Sequence, residues 1–138
     1  MNYWLLSAGI AALATFGIHV FMGGPAIETP MLASALDPAL KSVWSVVWHM
    51  VSAVLLLSAI AFSWAAARPA VSLQIATFPL AASVSFIGIF LFYGVLRHQS
   101  VTVMPQWILF LVISVLASIG LTRRKTVADR GQGPALHK

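Results

Sequence analysis

Hydrophobic residues gather into four long runs separated by short breaks rich in proline, glycine or charge. The first run covers residues 3–22, and about 20 residues of α-helix span about 30 Å, enough to cross a bilayer core once. No Lys or Arg precedes it and no small-x-small site follows a short apolar core, so it reads as a retained span rather than a secretory signal. Ala8, Ala12, Thr15 and His19 recur at steps of four and three and therefore share one face. That face is small and polar, the kind that packs against another helix in lipid. Gly23-Gly24-Pro25 predicts the end of this helix, because glycine disfavours helix and proline restricts the residue before it. Residues 23–42 are expected as an external loop. Within it Asp37-Pro38 has the form of a helix start, Asp as N-cap and Pro at the first helical position.

The second run predicts a span over residues 43–67, stopped by Arg68-Pro69. Lys41, Trp44 and Trp48 form one stripe, suited to anchoring at the headgroups. Ser42, Ser45, His49 and Ser52 form another, continued by Ala59 and Ser63, which should face protein. A third span is expected over residues 71–96, kinked at Pro79, with Ala81, Ser85 and Gly88 as its small face. The fourth and shortest runs over residues 104–121, with Ser114 and Ser118 in a small-xxx-small pair. Residues 123–138 read as a basic, disordered tail. The fold class is therefore all-α, an integral membrane bundle of four transmembrane helices.

Composition sharpens this picture. Charged residues make up 8% of the chain against roughly 25% in soluble domains, too few to coat a particle in water. The formal charge of +5 is not spread over a surface, because Arg123, Arg124, Lys125, Arg130 and Lys138 all follow the last apolar run. That is a cytoplasmic flank under the positive-inside rule, not a nucleic-acid footprint, and no nucleic-acid partner is expected. With four spans, Arg68 and the tail share one side, which places both termini in the cytoplasm of a bacterial-type inner membrane. The absence of cysteine removes thiolate catalysis, disulfides, iron–sulfur clusters and c-type haem attachment.

Candidate chemistry concentrates at the external mouth. His19 and His49 lie at similar depth from that side, His98 closes the third span, and Glu28 and Asp37 belong to the loop. Ionisable residues inside a span are functional candidates by default. His19 and His49, with Glu28 or His98 as further ligands, would suit a transition metal such as Zn or Cu, a quinone head group, or a bis-histidine b-type haem. The same histidines can also simply bond to serines or backbone. No carboxylate lies within a span, and nucleophiles are confined to Ser, Thr and Tyr, so enzyme and proton-coupled transporter are the least supported classes.

His19, Gly23-Gly24, Ile27, Pro30-Met31-Leu32, Lys41 and Trp48-His49 together resemble a family of small bacterial four-helix membrane proteins. The likeness covers roughly the first half of the chain and brings no function with it. It implies that the loop and its two histidines form one unit. Two hypotheses follow. The first is a non-catalytic accessory or interaction subunit that meets a membrane-protein partner or a second copy. The second is a metal-, haem- or quinone-binding bundle with its site at His19 and His49.

Overall fold

A computed structural model describes residues 1–131, with side chains through Arg123. All regular structure among the described residues is helical. Helix α1 (Tyr3–Gly17) starts at Asn2, whose side-chain oxygen accepts from the backbone N–H groups of Trp4 at 3.2 Å and Leu5 at 3.3 Å. These are orphan donors of a helix start, and satisfying them matters most where no water reaches.

The helix does not stop at Gly23-Gly24-Pro25. It widens into a π-helix over Ile18–Glu28 and returns to α geometry as α2 (Thr29–Ala33), one helical stretch from Tyr3 to Ala33. The expected loop over residues 23–42 thus shrinks to residues 34–37. The glycines explain the difference. Among the described residues no glycine takes positive φ, so neither Gly23 nor Gly24 acts as a helix stop. Gly23 instead admits Trp48, whose ring would lie 3.0 Å from any Cβ there. The π turn, longer than an α turn by one residue, also relieves the crowding of the Pro25 ring against the preceding turn.

Helix α3 (Pro38–Ala67) begins as expected at Asp37, whose carboxylate accepts from Ala39 N–H at 2.8 Å, and so starts five residues ahead of the predicted span. A 3₁₀ turn (Pro69–Val71) leads into α4 (Ser72–His98). That helix passes Pro79 without interruption and ends at Gln99 in the left-handed region, φ 50°. There Ser100 N–H reaches the Gly94 carbonyl at 3.2 Å, a Schellman-type cap. A Cβ on Gly94 would meet the Ser100 carbonyl oxygen at 2.8 Å. Helix α5 (Trp107–Gly131) carries on into the stretch expected as a disordered tail, of which residues 132–138 lie outside the described residues. Tyr3–Ala33, Pro38–Ala67 and Pro69–His98 are long and apolar enough to cross a membrane, and Trp107–Arg123 is a shorter apolar helix.

The helices form a ring: α1 packs on α3 and α5, and α4 packs on α3 and α5. Ala8, Ala12 and Thr15 of the predicted small face are buried. Gly9 lets α1 approach α3 so closely that a Cβ would fall 2.5 Å from Ser63 Oγ and 3.1 Å from the Ala59 carbonyl. Gly120 does the same for α5 against Leu5, at 2.8 Å. On α4 the buried set is Ser72, Ala76, Pro79, Ser83 and Gly94, while Ala81, Ser85 and Gly88, the expected contact face, are exposed. Ser114 is buried but Ser118 is not, so only half of that pair packs. Phe110 of α5 stacks and tilts against Phe90 and Phe86 of α4 at 6.0 and 5.0 Å.

The core is lopsided. Every buried residue of α3 lies at or beyond Leu55, and α4 buries nothing between Ser83 and Gly94. The end that holds Asn2, Ala66 and Gly120 is closely packed, whereas the end that holds the π-helix is loose.

Close approach at Gly9 predicts that Gly9→Val destabilises the bundle by about 1–3 kcal/mol through overpacking. Gly88→Ala, with nothing within 4 Å of the new methyl, should stay within about 1 kcal/mol of the parent. Thermal unfolding of the detergent-purified protein compares the two, and equal stability of both variants would contradict the packing described.

Candidate functional site

The residues singled out at the external mouth meet on α3, though not as a facing pair of histidines. His19 is the second residue of the π-helix and lays its ring flat on Trp48, with centroids 4.0 Å apart and planes 21° from parallel. Its Nε2–H donates to the Trp48 carbonyl at 3.3 Å, since a carbonyl can only accept. Ser52 Oγ donates to that same carbonyl at 3.1 Å. Trp48 is thus the platform of His19. Lys41, Trp44, Trp48, Val51 and Leu55 follow steps of three and four, so the aromatic stripe runs along the side of α3 that becomes the core. The Trp44 indole N–H is accordingly buried, with no hydrogen-bond partner.

His49 is turned elsewhere. Its Nδ1–H donates to the Ser45 carbonyl one turn back at 2.7 Å, and its side chain is 73% exposed. Glu28, the last residue of the π-helix, approaches from the side. Its Oε1 accepts from Ser45 Oγ at 3.2 Å and lies 3.9 Å from His49 Nδ1. The Glu28 side chain is only 18% exposed. Glu28, Ser45 and His49 therefore form one polar cluster, and His19 with Trp48 forms another beside it. No hydrogen bond or ring contact joins the two imidazoles.

His19, His49, Glu28 and His98 are not gathered: among the described residues no group of three or more His, Cys, Asp or Glu is placed to hold a metal ion. A bis-histidine haem needs both imidazoles across one gap. Here each ring keeps one uncommitted nitrogen, Nδ1 of His19 and Nε2 of His49, while the other nitrogen bonds to a carbonyl of α3, and His19 is stacked on Trp48 rather than turned toward His49. His98 is exposed in the last turn of α4. Asp37 is a helix cap.

Sequence reasoning placed Glu28 in a loop and grouped Trp48 with Lys41 and Trp44 as one stripe, without the contact that each makes. The signal for Trp48 was available in its three-and-four spacing to Leu55. No protein-family model, curated protein or solved structure matches the chain.

The His19–Trp48 stack is the principal contact by which the π-helix rests on α3. Trp48→Ala should raise hydrogen exchange of the Ile18–Glu28 amides roughly tenfold, the effect of losing an aromatic pair. Val47→Ala, which removes an exposed neighbour, should leave that exchange unchanged. Equal protection in both variants would sink the role given to Trp48.

Proposed function

We propose that this chain is a four-span inner-membrane protein with both termini in the cytoplasm, acting as a non-catalytic accessory subunit that docks to a membrane partner. The observation that carries the reading is the lopsided core. The helices are tied together at one end, while α3 before Leu55 and α4 beyond Ser83 bury almost nothing against each other. A bundle whose helices bury few residues at one end, where Phe86 and Phe90 on Phe110 and His19 on Trp48 make the contacts, is suited to extend that packing against another protein. Arg123 lies 4.9 Å over the Trp4 ring, so a cation and an interfacial aromatic mark the same end of the bundle, as a cytoplasmic face would have them. The resemblance to small bacterial four-helix membrane proteins fits this reading without adding a function to it.

The competing reading, a metal, haem or quinone site at His19 and His49, draws support from the approach of Glu28 to His49 alone. It makes a different prediction for the purified protein.

Extraction from native membranes in mild detergent should give a particle much larger than the 14.8 kDa chain, with a second membrane protein in constant ratio. Migration as a lone small species overturns the accessory role, and stoichiometric metal or a haem absorbance band would favour the competing reading. Orientation is checked separately. Because the chain has no cysteine, Ala35→Cys should react with impermeant thiol reagent from outside, and Ala67→Cys should not. The reverse pattern overturns the topology.

A further inference from the structure

The Glu28–Ser45–His49 cluster stands at the upper end of an open apolar groove of about 450 Å³ along α3, lined by Ser45, Val46, His49, Met50 and Ala53. The groove does not face a neighbouring helix. Ala53 stands two residues, or about 200°, from buried Leu55, so the lining lies opposite the packed side of α3. On the four-span reading that side meets lipid. Counting back about 20 residues, or about 30 Å, from Ala67 at the inner surface reaches Trp48 at the outer edge of the hydrocarbon. Ser45, His49 and Glu28 then stand at headgroup level, and Met50 and Ala53 lie below it.

The polar end of the groove is an acceptor site. Glu28 commits Oε1 to Ser45, and Oε2 makes no hydrogen bond. His49 commits Nδ1–H to the Ser45 carbonyl, so the neutral ring presents Nε2 as a lone pair. A carboxylate and an imidazole nitrogen together call for a cation that carries N–H donors. A primary ammonium has three such donors, and a choline headgroup has none. An anionic headgroup would meet the Glu28 carboxylate with the same sign of charge.

We propose that this flank of α3 binds an ethanolamine phospholipid, its ammonium held by the Glu28 carboxylate and His49 Nε2, and one acyl chain lying over Met50 and Ala53. A partner's lysine would offer the same ammonium, but the apolar lining running down from the cluster into hydrocarbon matches a headgroup with its chain. The proposal rests on the spanning reading and not on the accessory role.

The test uses the full chain in detergent, mixed with equal amounts of phosphatidylethanolamine and phosphatidylcholine of identical acyl chains, with adducts resolved by native mass spectrometry. The ethanolamine lipid should be bound about fivefold over the choline lipid, the size of a charge-assisted contact at a partly exposed site. Glu28→Gln should bring that ratio close to one, and Ala53→Phe, which fills the groove, should weaken both lipids. Equal binding of the two lipids by the unmodified chain overturns the proposal without recourse to any variant, and so does a preference that survives Glu28→Gln. If the lipids bind alike and Glu28→Gln instead releases a co-purifying protein, the ammonium belongs to a partner lysine and the lipid assignment falls. Alkaline carbonate that strips the protein from membranes would overturn the spanning reading itself, whereas equal lipid binding by an inserted protein overturns only the lipid site.

Discussion

The bundle depends on what one short side chain does at Asn2. Its amide oxygen caps α1, its amide nitrogen donates to the Gly120 carbonyl of α5 at 2.8 Å, and its backbone N–H donates to the Ala66 carbonyl of α3 at 2.9 Å. Three helices thus meet through one residue at a level where each unpaired backbone group would be costly. The hydrogen bonds demand proximity, and the small residues supply it. Gly9 against Ser63 and Gly120 against Leu5 let the backbones approach to distances that a methyl group would forbid. Between helices in lipid there is no hydrophobic force, and close van der Waals contact with satisfied polar groups, the combination seen here, is what can hold helices together in that setting.

A clamp at one end has consequences at the other. The large exposed apolar surface of the chain, including Phe21, Val46, Met50, Phe78 and Phe92, is ordinary for a surface in contact with acyl chains. What is unusual is the poverty of contact within the bundle near the π-helix. There Trp48, His19 and Phe110 with its two phenylalanine neighbours do the packing that Ala and Gly do below. Large flat rings spaced along diverging helices fill a widening gap, and they hold it less tightly than interdigitated small residues. Local opening is cheapest where such contacts are few.

Much of this was legible in the sequence. The apolar runs gave an all-helical chain with three long apolar helices and a shorter fourth, Asp37-Pro38 gave the start of α3 with its cap, and the Ala8–Ala12–Thr15 face was buried as its spacing required. These succeed because one rule, helical periodicity, governs them locally. The misreadings share a different cause. Gly23-Gly24-Pro25 looked like a stop because local propensity says so, yet Trp48, 25 positions away, uses Gly23 as a seat. Ala81, Ser85 and Gly88 looked like a contact face because they are small, but α4 packs through Ser72, Ala76, Pro79 and Ser83 instead. Smallness permits a contact without choosing it. The choice is made by the partner helix, which a single stretch of sequence does not contain.

The candidate site is the clearest case of a feature that periodicity alone would place wrongly. Glu28 follows His19 by nine residues, and nine α-helical steps of about 100° put it about 180° away, on the opposite side of the helix. Yet His19 touches Trp48 and Glu28 touches Ser45, one turn apart on the same helix. The π-helix resolves the conflict. Each of its turns takes more residues than an α turn, so the faces fall steadily out of α register between Ile18 and Glu28. By the end of that segment the carboxylate has come round to α3. An α-helix through the same residues would leave Glu28 pointing away from Ser45 and His49, and a loop would not fix it at all. The rare helix geometry is therefore the element that assembles the polar cluster, and Gly23 is what makes it compatible with Trp48 beneath.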